Sequence, residues 1–134
     1  MKTDKLFPLT CTHTVVGHRR PVLSVTATNE VLFSGSKDGT AKIWDLSQCT
    51  EVSSLSDHLD AVNVVRYDEY NRLIYTCSKS IIKIWDPRQN PEIVCVRTLC
   101  SSGLMLDNTS NESIICDMRL SADGLTLFST TERL

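Results

Sequence analysis

Three side chains early in the chain, His18, Ser34 and Asp38, are of the residue types that make up a serine hydrolase triad. In such a triad the histidine takes the serine proton and the aspartate orients the histidine. Acyl transfer also requires an accessible nucleophile and an oxyanion hole, and the sequence contains no Gly-x-Ser-x-Gly elbow. We therefore expect no catalytic residues, and we expect these three side chains to have a structural role.

Two pairs of short motifs recur along the chain. His18 and His58 lie 40 residues apart, and Trp44-Asp45 and Trp85-Asp86 lie 41 residues apart. A period of this length that opens with Gly-His and closes with Trp-Asp is typical of a WD-repeat β-propeller. The sequence therefore predicts an all-β, partial WD-repeat propeller, with about two complete four-stranded blades and part of a third.

The repeats divide the chain into four segments. We assign 1–16 to a linker and the outer strand of a preceding or last blade, 17–56 to blade one, 57–100 to blade two, and 101–134 to a polar loop and an incomplete blade three. Because a propeller ring needs roughly four to eight blades, we expect the chain to be a piece of a propeller. It is then either a fragment of a longer product or a truncated reading frame.

Strands are expected where short β-branched or aromatic runs lie between turn residues. The expected ranges are 22–25, 31–34, 41–44 and 51–55 in blade one, 62–65, 73–76, 81–85 and 93–96 in blade two, and 115–120 and 125–129 in blade three. The residues 9–16 have the texture of a further outer strand.

In the WD-repeat pattern the triad residue types form a buried hydrogen-bond network. Asp38 lies in a tight turn, His18 precedes the inner strand, Ser34 lies on the second strand, and Trp44 lies on the third. Removing one partner from such a network costs roughly 1–3 kcal/mol.

The second repeat retains only part of this network. It has His58, Thr76 and Trp85, but its turn is shortened to Lys79-Ser80 and only Ser80 lies near the aspartate position. We therefore expect blade two to be the less stable of the two complete blades.

Composition excludes several classes of function. The formal net charge of −2 argues against nucleic-acid binding, and the sequence has no secretory signal and no apolar run long enough to span a membrane. None of the six cysteines is in Cys-x-x-Cys spacing. We expect an intracellular protein with no cofactor and no metal, whose cysteines are mostly buried thiols on strands.

Beyond the generic repeat, several stretches resemble the C-terminal WD-repeat domain of the kinesin family member 21 proteins, in the kinesin-4 class. The stretches are residues 8–13, 17–18, 32–38, 41–44, 82–88 and 96–103. The most specific of them is Ser102-Gly103, where a third Gly-His would be expected and is missing.

This resemblance implies a noncatalytic interaction scaffold from the tail of a microtubule motor, located in the cytoplasm on the cytoskeleton. The implied partners are tubulin and microtubules, or a cargo protein. They also include the remaining propeller blades or the rest of a kinesin chain. The motor ATPase domain is not part of this sequence.

The loops before the inner strands and the turns after the second strands are expected to converge on one face. They carry a small basic cluster: Arg19, Arg20 and Lys37 from blade one, and Lys79 from blade two. Such a cluster suits the acidic tails of tubulin. The alternative is an ordinary solvated rim.

Another function would be carried by Arg88. The run 84–88 resembles the Trp-Asp-x-Arg motif by which some propellers dock the adaptor of a cullin-type ubiquitin ligase, which would make the chain a substrate receptor. Arg88 could equally form a salt bridge within its own blade. A third alternative is an unstable truncated product with no independent role.

Overall fold

The computed structural model describes residues 8–89, 92–100 and 113–133, which form three antiparallel sheets. The strands are β1 (Val22–Ala27), β2 (Val31–Ser36), β3 (Ala41–Asp45), β4 (Thr50–Leu55), β5 (Val64–Asp68), β6 (Leu73–Ser78), β7 (Ile81–Trp85), β8 (Cys95–Cys100), β9 (Ser113–Leu120) and β10 (Leu127–Arg133). Strands β1 to β4 form the first sheet and β5 to β8 the second, each in sequence order, and β9 pairs with β10. This arrangement confirms the expected all-β, partial propeller fold.

Two strands of the second sheet begin later than expected. β5 begins at Val64, two residues later than expected, because the Val62 N–H donates to the carbonyl of Ser36 in the first sheet (2.9 Å). β8 begins at Cys95 and extends to Cys100.

The segments before the first sheet and after the second sheet contain further differences from the expected structure, or residues that the structure does not describe. Residues 9–16 form no strand, although Val15 and Val16 line a groove together with Val22 and Val25 of β1. Residues 1–7 and 101–112 lie outside the described residues. They include the start of the expected linker and most of the expected polar loop.

The turns between the second and third strands of the two sheets use different backbone conformations. In the first sheet the turn contains Gly39 at φ 85°, a conformation that glycine adopts without steric cost. In the second sheet the two-residue turn places Lys79 at φ 53°. The second turn therefore has a side chain in the left-handed region, where most residues are disfavoured.

The hydrophobic cores lie between successive sheets. The first core joins Phe33, Ala41, Ile43 and Leu55 of the first sheet to Val62, Val65, Ile74 and Trp85 of the second blade. The second core joins Val64, Tyr75, Cys77, Ile82 and Ile84 of the second sheet to Ile115 and Met118 on β9. The second sheet is thus covered on both faces.

The same junction occurs between both pairs of sheets. The Val62 N–H donates to the Ser36 carbonyl and the Ile115 N–H donates to the Lys79 carbonyl, both at 2.9 Å. At the first junction a methyl group added to Gly35 would lie 2.8 Å from Val62 Cγ1 and 2.9 Å from the Val62 carbonyl oxygen. The close approach of the two sheets therefore requires glycine at this position.

We expect Gly35→Ala to lower the free energy of unfolding by about 1–3 kcal/mol, because the added methyl group must push the second sheet away from the first. Urea denaturation followed by tryptophan fluorescence measures the change. Ser56→Ala, in an exposed loop, is the control. An increase in stability on Gly35→Ala, as expected for an unconstrained strand glycine, would contradict the close approach.

The cysteines do not follow the expectation of mostly buried thiols. All six are free, but only Cys77 is buried, whereas Cys11 and Cys116 are exposed and the other three are partly exposed. Alternation along a strand turns Cys116 away from the core that holds its neighbour Ile115. Burial raises the pKa of Cys77 to about 12, which keeps this thiol protonated at neutral pH.

Neither a metal site nor a membrane-spanning helix occurs in the described ranges. They contain no group of three or more His, Cys, Asp or Glu side chains arranged to hold a metal ion. They also contain no helix long and apolar enough to cross a membrane.

Candidate functional site

Four side chains of the first blade meet beside the loop that precedes β1. The Trp44 indole N–H donates to Ser34 Oγ (2.8 Å), and Ser34 Oγ lies 2.7 Å from His18 Nε2. His18 Nδ1 lies 2.9 Å from Asp38 Oδ2. The structure therefore brings His18, Ser34, Asp38 and Trp44 into one continuous chain of hydrogen bonds.

Asp38 fixes the direction of the protons in this chain. Burial acts to raise its pKa, but hydrogen bonds from the Thr40 hydroxyl, the Arg19 N–H and His18 outweigh burial and hold the pKa well below its usual value. The ionised carboxylate can only accept, so His18 Nδ1 carries its proton. In the neutral ring Nε2 then accepts from the Ser34 hydroxyl, and every donor in the chain has an acceptor.

Asp38 also ties the loop before β1 to the turn between β2 and β3. It accepts from the Arg19 N–H (3.0 Å) and from both the N–H and the hydroxyl of Thr40 (2.9 and 2.6 Å). Ser36 Oγ donates toward the carbonyls of Arg20 and Pro21, each at 3.0 Å. The loop and the turn are therefore held together as one unit.

The geometry of Ser34, His18 and Asp38 resembles that of a serine hydrolase, but the surroundings of Ser34 do not. Ser34 is buried, and its oxygen already accepts the indole N–H of Trp44. A nucleophile needs an oxygen that is free to approach a substrate. The hydrogen bonds instead orient the Trp44 ring, which is itself buried.

The second blade contains the shorter version of this network. His58 Nε2 lies 2.6 Å from Thr76 Oγ1, and the Trp85 indole N–H donates to the same oxygen (2.8 Å). Burial, followed by the nearby charge of Lys83, lowers the pKa of His58 to about 4, against a smaller opposing effect of Asp57. His58 is therefore a buried neutral side chain at pH 7.

We expect Ser34→Ala to lower the free energy of unfolding by about 1–3 kcal/mol, because it leaves the Trp44 N–H and His18 Nε2 without their shared partner. Ser34→Thr is the matched control, since Thr76 makes the same two bonds in the second blade. We expect the threonine variant to stay close to the unaltered protein in urea denaturation. Equal loss in both variants would mean that steric fit, and not the hydroxyl, decides stability here.

The buried neutral His58 should make the protein sensitive to acid. Its folded pKa of about 4 lies below the ordinary value of 6.5, so between these pH values the unfolded chain binds a proton that the folded chain does not. Stability is therefore lost as the pH falls from 6.5 to 4, by on the order of 3 kcal/mol for this one group.

Thermal unfolding measured across this pH range checks the expectation, with His58→Gln compared with the unaltered chain. We expect a flatter pH dependence in His58→Gln, and an unchanged one in His13→Gln, whose side chain is exposed. The same slope in His58→Gln as in the unaltered chain would contradict the assignment.

The expected basic residues occupy different environments. Arg19, Arg20 and Lys37 are exposed and lie on the loop and turn that Asp38 and Ser36 hold together. Lys79 forms an ion pair with Asp60 (2.6 Å), so its charge is balanced by a neighbour. The first three residues thus form a group from which Lys79 is set apart.

Arg88 lies three residues after the end of β7 and forms an ion pair within its own blade. Its Nε and Nη2 each lie 2.8 Å from one oxygen of Asp86, so the guanidinium and the carboxylate form a two-point ion pair. The side chain is still more than half exposed. The geometry matches the alternative in which Arg88 pairs within its blade, and no feature of the described residues favours adaptor docking.

Two residues with clear roles were not expected from the sequence. Thr40 binds Asp38 directly, and its position just after Asp-Gly in a tight turn could have indicated this. Arg66 bridges the second and third sheets by donating to the Met118 carbonyl (3.1 Å) and to Asp117 (2.8 Å). The partners of Arg66 lie more than fifty residues away, and no local pattern signals such a contact.

A comparison with protein families identifies the repeat. A model described as "WD domain, G-beta repeat" matches residues 9–45 and 49–86, which together make up more than half of the chain. The chain therefore belongs to the WD-repeat family, whose fold is a noncatalytic scaffold for protein interactions.

Among curated proteins the chain is similar to kinesin-like proteins. It is 46% identical over 76% of its length to human "Kinesin-like protein KIF21A", of which it spans 6%. It is 36% identical over 95% of its length to mouse "Kinesin-like protein KIF21B", of which it spans 8%, and 39% identical over 76% of its length to "Kinesin-like protein klp-12" of Caenorhabditis elegans, of which it spans 6%. These similarities confirm the expected resemblance, and the chain spans less than a tenth of each relative.

Proposed function

We propose that this chain is a protein-interaction module that binds acidic segments, such as the tails of tubulin, through Arg19, Arg20 and Lys37. We call these three residues the basic cluster. The observation that supports the proposal is that two separate backbone segments, the loop before β1 and the turn after β2, are joined by hydrogen bonds at the place where the three cations stand.

The position of the basic cluster follows from the network beneath it. The Lys37 N–H donates to the Pro21 carbonyl (2.9 Å), and the Arg19 N–H donates to Asp38. Both bonds fix the backbone of a cationic residue while leaving its side chain exposed. A preorganised set of charges loses less conformational entropy on binding than charges on a free loop.

The charges around the basic cluster favour an acidic partner. Asp38 directs its carboxylate to His18, Thr40 and the Arg19 backbone, and among the described residues it forms no ion pair with a cationic side chain of the cluster. Asp60 on the adjacent loop of the second blade pairs with Lys79. Among the described residues no acidic side chain neutralises the three cations, and their charge is available to a partner.

The module is proposed to be noncatalytic. Ser34 is buried and bound on both sides by His18 and Trp44, so the one triad-like constellation of the described ranges serves packing. The similarity to kinesin-like proteins supports a role in the tail of a motor, in the cytoplasm and associated with the cytoskeleton. A cargo protein with an acidic segment is the alternative partner within the same proposal.

We expect the double variant Arg19→Glu, Arg20→Glu to reduce binding to microtubules roughly tenfold at low salt, because two attractive contacts become repulsive. Cosedimentation over a range of salt concentrations measures both the affinity and its salt dependence. Arg97→Glu, an exposed arginine on β8, is the matched control and should bind as the unaltered chain does.

Microtubules whose acidic carboxy-terminal tails have been removed by proteolysis provide the second arm. We expect the unaltered chain to have a low affinity for these trimmed microtubules. This affinity should be similar to that of the double variant for intact microtubules. Undiminished binding by the double variant would overturn the assignment of the basic cluster. Failure of the unaltered chain to sediment with intact microtubules would overturn tubulin as the partner.

A further inference from the structure

A groove lies between the outer strands of the first and second sheets. It has a volume of about 540 Å³, within the range of roughly 300–1,000 Å³ that is typical of ligand sites. Residues 53–57, from the end of β4 and the loop after it, line one side. Residues 92–95, from the loop before β8 and its first residue, line the other. Both sides belong to complete four-stranded sheets, so the groove is a feature of the junction between them.

The floor of this groove is apolar. Leu55 and Trp85 are 2% and 3% exposed and belong to the core between the first and second sheets. Ile93 and Cys95 pack against the same core, whereas the side chain of Val94 is 45% exposed. A ligand that enters the groove therefore covers apolar atoms contributed by both sheets.

The rim of the groove presents carboxylate oxygens to solvent. Asp57 forms an ion pair with Lys83 (2.8 Å) in which the carboxylate is 67% exposed and the lysine only 15%. Glu92 on the opposite side is exposed, and none of the ion pairs formed by the described residues includes it. Further acceptors are the hydroxyls of Ser53, Ser54 and Ser56. The lining, as the structure describes it, contains two carboxylates and no lysine, arginine or histidine, so its charge favours a cation.

The strand on one side of the groove suits an extended ligand. β4 is the edge strand of its sheet and pairs only with β3. The outer edge of such a strand has backbone N–H and C=O groups that an extended peptide can bind. Successive side chains of an extended peptide point to opposite sides. One set therefore faces the floor of the groove, and the other lies at the level of the rim.

We propose that this groove binds a partner protein through an extended basic segment in which arginine or lysine side chains alternate with apolar ones. The apolar side chains cover Val94 and the buried floor formed by Leu55 and Trp85. The cationic side chains between them reach the carboxylates of Asp57 and Glu92 at the rim.

The groove and the basic cluster require partners of opposite charge. The basic cluster lies on the loop before β1 and the turn after β2, whereas the groove lies at the outer strands β4 and β8. A segment that is attracted to the groove is repelled by Arg19, Arg20 and Lys37. The proposal therefore does not depend on the proposed binding of tubulin, and the two surfaces suit two different partners.

Fluorescence anisotropy of a labelled synthetic peptide tests the proposal. The probe is a short peptide of alternating arginine and leucine, and the comparison peptide contains citrulline, which has a similar shape and no charge, in place of arginine. We expect the chain of 134 residues to bind the arginine peptide at low salt and the citrulline peptide at least about tenfold more weakly. Glu92→Lys should weaken binding of the arginine peptide by about tenfold, because an attractive contact becomes repulsive.

The matched control is Glu69→Lys, which changes the net charge equally at an exposed glutamate after β5, outside the groove. It should bind the arginine peptide as the unaltered chain does. Val94→Ser should weaken both peptides by about threefold, because it removes apolar contact and no charge. Circular dichroism should show that the three variants remain folded.

Three results would overturn the proposal. The first is an unaltered chain that does not bind the arginine peptide. The second is equal affinity for the arginine and citrulline peptides, since the carboxylates at the rim then do not select a cation. The third is equal weakening in Glu69→Lys and Glu92→Lys, which would mean that the peptide responds to the net charge of the protein and not to the groove.

Discussion

Each sheet of this protein has two apolar faces and can bury neither of them alone. The strands within a sheet satisfy one another's backbone hydrogen bonds, but the side chains above and below the sheet need a neighbouring sheet to exclude water. Val62 shows how closely this neighbour must approach, since it lies against Gly35 with no room for a methyl group. The repetition of the chain follows from this constraint, because a repeated sheet provides its neighbour with a matching face.

The hydrogen-bond networks are a second consequence of the same packing. Trp85 lies on the face that meets the preceding sheet and Trp44 lies on the equivalent face of the first sheet. Both indoles are buried and need an acceptor for the N–H. The hydroxyl oxygens of Ser34 and Thr76 supply that acceptor. Each hydroxyl also forms a hydrogen bond with the Nε2 atom of a histidine, His18 in the first blade and His58 in the second. The two blades then differ in how the histidine is held. An ionised aspartate fixes His18, whereas burial, together with the nearby charge of Lys83, keeps His58 neutral.

The sequence predicted the features that repeat and not those that depend on contacts across the chain. The period between the Trp-Asp pairs was sufficient to expect two four-stranded sheets and the order of their strands. Local propensity misplaced the start of β5 because the Val62 N–H is drawn to a carbonyl of another sheet. The pairing of Lys79 with Asp60 lay outside local reasoning for the same reason, since the two residues are neighbours only after the sheet has formed.

The local connectivity of the sheets also affects how the protein is made. Because β1 to β4 pair only with sequence neighbours, the first sheet can form as soon as residue 55 has left the ribosome. Its Phe33 face must then remain uncovered until the next blade has been synthesised. At about 5–20 residues per second, the roughly 40 residues of one repeat take about 2–8 seconds. During this interval the nascent chain exposes an apolar surface, and the interval recurs with every blade that is added.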